Sequence, residues 1–295
     1  MTNPFGRMLT AMVTPMHDDG SLDLDGAQRL ADHLVQHGHD GILVNGTTGE
    51  SATTTDEENV ALVRAVVEAV GDRVPVMAGV GTNDTAHSVA AAKAMVAAGA
   101  RTALVVTPYY NKPPQAGIVE HVRAVAAAAD VPVMLYDIPG RTGTALAPDT
   151  LLRLAEIPQV MAVKDAKADL YNSSKVMART DLLWFSGDDV LALPWLAIGA
   201  VGHVAVTGHV AGDQFAAMIK AVDAGDLTTA RDIHRRLIPA MDAIMTITQG
   251  AIMAKAALKQ LGVITSDFCR LPLLPATAEQ HDILRRALEE SGLTV

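Results

Sequence analysis

A chain of 295 residues is long enough for one large domain, or one domain with an appendage, and should bury roughly three quarters of its unfolded surface. Hydrophobic residues make up 49% and aromatic residues only 3%, so the core must be built from Ala, Val, Leu, Ile and 13 Met. A formal charge of −10 argues against nucleic acid or an anionic membrane as the main partner. The single cysteine rules out an internal disulfide and suits a reducing cytoplasm.

The first seven residues lack a basic stretch followed by an apolar one, so no secretory signal is read there. No apolar run of about 18 residues suggests a spanning helix. Short apolar, β-branched runs are predicted as strands at 8–13, 41–45, 74–78, 102–107, 131–136, 160–164, 182–186 and 201–207. Segments of helical period lie between them. Residues 25–38 carry Leu30, Leu34 and Val35 and stop at Gly38, 56–71 carry Val60, Val63, Val67 and Val70, and 84–99 open on a capping Asp84 and close on Gly99. The last two strand spacings are tighter. Strand–helix alternation implies a parallel sheet, and nearly continuous apolar strands imply burial on both faces. Eight repeats point to an α/β fold of the (β/α)8 TIM-barrel type, although counting alone leaves a doubly wound sheet open. After Gly212 only helical stretches follow, near 227–247, 251–261 and 278–291. They are read as a C-terminal helical extension, dividing the chain into a barrel at 1–225 and an appendage at 226–295.

Barrel enzymes collect their chemistry at strand C-termini. Lys164 closes the apolar run 159–163, where desolvation would favour the neutral amine that a Schiff-base nucleophile requires. Most of the eight lysines sit on helical stretches, where a solvated charge is the ordinary reading. Lys112 follows a strand, but in a Pro-rich loop expected to be wet. Three of the four tyrosines, Tyr109, Tyr110 and Tyr136, fall at strand ends. Tyr136 could relay protons or simply fill a gap. Gly46-Thr47-Thr48-Gly49 could offer hydroxyls and N–H groups to a small carboxylate, or be an ordinary turn. Arg141 could clasp a carboxylate or be a loop charge. Gly187 begins the segment after the seventh strand, and Asp188 reads as a helix cap. His33, His37 and His39 invite a metal reading, but they belong to the first helix, away from the mouth, and read as a polar face. No phosphate loop, dinucleotide fingerprint or nucleophile elbow is present.

Taken in order, GTTGES at 46–51, VTPYYN at 106–111, YDIPGRTG at 136–143, VKDA at 163–166 and SGDD at 186–189 make a chain that resembles the dihydrodipicolinate synthases. These belong to the pyruvate-dependent Schiff-base aldolases, and the resemblance spans nearly the whole chain. It implies a (β/α)8 barrel with a helical extension and the condensation of pyruvate with L-aspartate 4-semialdehyde, in the diaminopimelate branch of lysine biosynthesis. Lys164 would form the imine, with Tyr136, Thr47 and Tyr110 moving protons. Thr48 would hold pyruvate's carboxylate, Val204 and Gly187 would line the substrate site, and Arg141 would bind the semialdehyde's carboxylate. No metal or organic cofactor is implied. A homotetramer of tight dimers is, with Tyr110 reaching the neighbouring subunit's site.

Asp137 and Asp165 stand where the family often has Asn and Glu. Asn59 and His87 depart from the His and Glu usual in lysine-inhibited members, so inhibition is expected to be weak or absent in a dose–response with lysine. The alternative within the superfamily is N-acetylneuraminate lyase or a 2-keto-3-deoxy sugar acid aldolase, against which Arg141 speaks. A noncatalytic keto-acid sensor would not need the lysine, and a metal-dependent class II aldolase would lose activity to EDTA.

Overall fold

The eight predicted runs become eight parallel strands in a computed structural model that describes residues 3–293. Met1 and Thr2, part of the segment read for a signal, and Thr294 and Val295, the end of the appendage, lie outside the described residues. The strands are β1 (Met8–Ala11), β2 (Gly41–Val44), β3 (Val76–Gly79), β4 (Thr102–Val106), β5 (Val133–Asp137), β6 (Val160–Asp165), β7 (Leu183–Ser186) and β8 (Gly202–Ala205). They close in sequence order, with β8 pairing back on β1. Apolar residues occupy both faces because a closed parallel barrel leaves neither face wet. Inside lies a small cluster that includes Phe5, Leu9, Leu43, Met77, Leu104, Met134, Phe185 and Val204. A larger cluster fills the space between the strands and the helices.

The helices are α1 (Leu24–Gln36), α2 (Asp56–Val70), α3 (Thr85–Ala97), α4 (Gln115–Ala129), α5 (Pro139–Thr142), α6 (Pro148–Leu154), α7 (Leu170–Met177), α8 (Ala192–Ala197), α9 (Gly208–Asp223), α10 (Leu227–Met245), α11 (Gly250–Gln260) and α12 (Ala278–Glu290). Their ends follow local chemistry. Asp23 caps α1, Thr55 and Glu58 form a capping box on α2, and Asp84 caps α3. Gly38 and Gly99 take positive φ, 83° and 107°, where the chain leaves α1 and α3. The tight spacing before β8 is explained by α8, a helix of 6 residues whose Trp195 stacks on Trp184 of β7 at 5.8 Å. No single helix among the described residues is long and apolar enough to cross a membrane.

The expected division near 225 falls in the turn between α9 and α10. The extension is not set apart from the barrel. Helix α10 packs along α9 and α12, and Lys255 of α11 pairs with Glu50 in the turn after β2.

Candidate active site

Strand β6 is apolar until Lys164, whose Cα pairs with Tyr136 on β5 and Phe185 on β7. The lysine is 4% exposed, and its Nζ lies over the Tyr136 ring, 4.2 Å from the centroid. Burial draws the amine down from 10.5 to about 8. Asp189 opposes the shift and Arg141 assists it. Near neutral pH such a lysine offers at least roughly a hundredfold more free amine than one in water. Burial pushes the Tyr136 phenol up to about 12, so it stays protonated and able to donate.

Asp189 is the buried counter-charge. Burial alone would raise its carboxyl. His203, with Nε2 at 2.9 Å but off a good hydrogen-bond line, and the amide of Thr207, donating at 2.6 Å, hold it below the usual range. Asp188 caps the short 3-10 turn Asp189–Leu191, as expected. Gly187 lies against the lysine stem: a Cβ there would come within 2.9 Å of Lys164 Cγ.

After β2 the chain turns sharply. Gly49 N donates to Gly46 O at 3.0 Å, Glu50 N to Thr47 O at 3.1 Å, and Thr14 Oγ1 to Gly49 O at 2.6 Å. Asn45 and Glu50 bracket this turn with φ of 56° and 58°, a conformation that costs non-glycine residues and persists only where the surroundings enforce it. The enforcement at Glu50 comes from the C-terminal extension. One carboxylate oxygen accepts from Lys255 of α11, and the other accepts from the Arg270 amide at 2.9 Å. Lys255 and Glu50 are both fully buried. Solvation, the ordinary reading for a helical lysine, is therefore corrected for Lys255. The sequence clue was its place in the otherwise apolar run 251–258.

A cavity of about 890 Å3 at the strand C-termini is bordered by Lys164, Tyr136, Thr47, Thr48, Tyr110 and Arg141. Six of the eight expected residues thus border one cavity. Val204 and Gly187 do not border it; Val204 is buried in the inner cluster. Tyr110 stands at the rim, 89% exposed, with φ of 74°. Lys112 is exposed, as expected. Asn59 and His87 border the far end. Thr54 Oγ1 donates to Asn59 Oδ1 at 2.8 Å, and His87 pairs with Asp56 at 2.9 Å. Of the histidines of the metal reading, His37 pairs with Asp213, while His39 lies past the end of α1 and is buried rather than on a polar face, its ring bonding Thr10 Oγ1 and Leu34 O.

A closed parallel barrel with a buried lysine and a tyrosine on adjacent strand ends is the arrangement that a lyase of the class I aldolase type requires. Residues 4–291 match the dihydrodipicolinate synthetase family. The chain belongs to that family. It is 57% identical over 290 residues to the 4-hydroxy-tetrahydrodipicolinate synthase of Kineococcus radiotolerans, covering 98% of this chain and 94% of that one. The enzyme of the same name from Acidothermus cellulolyticus is also 57% identical, over 291 residues, covering 99% and 94%. Among solved structures, the dihydrodipicolinate synthase of Cyanidioschyzon merolae with lysine bound superposes with a TM-score of 0.95 at 42% identity, covering 99% and 100%. A Bacillus anthracis dihydrodipicolinate synthase gives 0.94 at 40%, covering 98% and 99%.

Proposed function

We propose that this protein condenses pyruvate with L-aspartate 4-semialdehyde to give 4-hydroxy-tetrahydrodipicolinate, with Lys164 as the covalent catalyst. The observation that carries the assignment is the buried Lys164 amine above the Tyr136 ring, in a cavity that also holds Thr47, Thr48 and Arg141. The neutral amine adds to the keto carbon of pyruvate and water leaves, giving a protonated imine. That imine is an electron sink, so a methyl proton is lost and an enamine forms. The enamine carbon attacks the aldehyde. The amine of the adduct then adds to the imine carbon, expels Lys164 and closes the ring. Tyr136, protonated across the physiological range, donates and recovers protons during imine formation, with Thr47 and Tyr110 completing the relay. Thr48 holds pyruvate's carboxylate and Arg141 that of the semialdehyde, with Gly187 packed against the Lys164 stem and Val204 in the inner cluster of the barrel.

Tyr110 extends from the rim of its own chain, which supports a role in a neighbouring subunit's site within a homotetramer of tight dimers. The same reading places the enzyme in the cytoplasm. Engagement of His87 by Asp56 supports weak or absent inhibition by lysine. The guanidinium of Arg141 at the cavity wall favours an acidic aldehyde over a sugar acid.

The test is borohydride reduction with pyruvate present. A reduced adduct on the peptide carrying Lys164, and its loss in Lys164→Ala together with synthetic turnover, is the expected result. An unmodified Lys164, or full turnover in the alanine variant, would refute the assignment.

A further inference from the structure

Lys167 lies just beyond β6, in the turn leading to α7. Its Nζ donates to Asp137 Oδ2 at 2.9 Å, stands 3.9 Å from Asp165 Oδ2 and reaches Leu146 O at 3.4 Å. Both carboxylates are 0% exposed, whereas Lys167 is 12% exposed. Asp137 and Asp165 are Cα partners across β5 and β6, one residue past the paired Tyr136 and Lys164. Strand alternation turns them away from the barrel interior, behind the two residues that face the cavity.

The remaining bonds of the cluster tie it to the segment before α6, to the turn after β6 and to α7. Asp137 Oδ1 accepts from the Leu146 amide at 3.2 Å, which anchors the far end of the segment carrying Arg141. Asp165 Oδ1 accepts from the amides of Lys167 at 2.8 Å and Ala168 at 3.2 Å, and its Oδ2 from Ser173 Oγ of α7 at 3.0 Å. Two buried carboxylates therefore share one ammonium. Burial lifts both carboxyls above their ordinary range, against the pull of Lys167. The charged groups acting here are Asp137 from β5, Asp165 from β6, and Lys167 and Asp169 from the turn before α7.

We propose that Lys167 is a positioning residue for this reaction: by clamping Asp137 to Asp165 it holds the ends of β5 and β6 at the separation that seats Tyr136 against Lys164. Without the ammonium, two carboxylates one strand apart, about 4.8 Å at the backbone, would repel inside a medium that screens poorly. The strand ends would splay and the Arg141 segment would lose its anchor. The proposal rests on Lys164 being the imine-forming residue.

The experiment compares Lys167→Met, Lys167→Arg, Asp137→Asn and the double variant D137N/K167M, by steady-state kinetics and by the rate of borohydride trapping with pyruvate. K167M is expected to lose roughly ten- to hundredfold in kcat, with a smaller change in KM for pyruvate. Its deficit relative to the parent should widen as pH rises, because the second carboxylate ionises and repulsion grows. Asp137→Asn removes that repulsion, so the double variant should recover most of the loss and the parent's pH dependence. Lys167→Arg keeps the charge and should retain activity within about threefold. A K167M protein with normal kcat overturns the proposal. So does a deficit that is the same at every pH and untouched by Asp137→Asn, because that is ordinary packing loss. Should K167M fail to fold, the double variant decides: folded and within about threefold of Asp137→Asn supports the clamp, unfolded or inactive overturns it. Failure of the underlying assignment shows separately, as absence of an adduct on Lys164 in the parent.

Discussion

A lysine ammonium moved from water to the end of β6 loses solvation that Asp189 only partly replaces, and the field of Arg141 disfavours it further. For the proposed imine chemistry the reactive form is the neutral amine. Because half of it is free only near pH 8, imine capture of pyruvate should speed up about tenfold from ~pH 6 to ~pH 7 and level off above about pH 8. Single-turnover borohydride trapping across that range measures it directly. A flat profile, or a midpoint near the 10.5 of an exposed lysine, would show that burial is not tuning this group. Lys164 was legible from sequence because an apolar strand ending in an ammonium is a local pattern. Asp189 was less so. Its role beside Lys164 depends on where β8 places Val206 and Thr207, whose amides it accepts from 17 and 18 positions away.

At the scale of elements, all eight strands were legible, since each is a short apolar run between turn residues, and they start and stop within about two residues of the expected bounds. Helix starts were legible where a side chain caps them, as at Asp84. The contacts between elements were not. Lys255 sits in a helical segment where a lysine is usually solvated, and its partner Glu50 is 205 positions away. No local pattern encodes that meeting. Removing one member strands the other's charge in the core, so Lys255→Met should destabilise the protein by about 3–5 kcal/mol, read as a lower urea midpoint. Adding Glu50→Gln should recover part of the loss. An unchanged midpoint in Lys255→Met would mean that the pair is hydrated in solution. The same pair bears on the division proposed at 225. The extension after that turn anchors Glu50, two residues from Thr48, so it is an appendage in sequence more than in packing.

For the whole molecule, the exposed Tyr110 carries the expectation about assembly. In an isolated chain its strained backbone and near-complete exposure serve nothing. In a dimer that inserts it into a neighbouring cavity they would be accounted for. Tyr110→Phe should lower turnover by roughly tenfold to a thousandfold while pyruvate trapping on Lys164 largely persists, and sedimentation should show a species larger than one chain. A monomer with full activity would remove Tyr110 from the relay. Assembly state was not legible from composition or strand pattern, because it depends on surfaces whose partners lie on another chain.

The clasp between Lys255 and Glu50 also orders events during synthesis. A nascent polypeptide that has already left the ribosome with every strand of its barrel still lacks α11, so its turn at 46–50 has nothing to lock against. Translation of the final helices takes seconds at about 5–20 residues per second, and only after it can that turn be locked. A product cut short before α11 by a premature stop or a protease would lose the Lys255 partner of Glu50 and leave the turn that carries Thr47 and Thr48 unlocked.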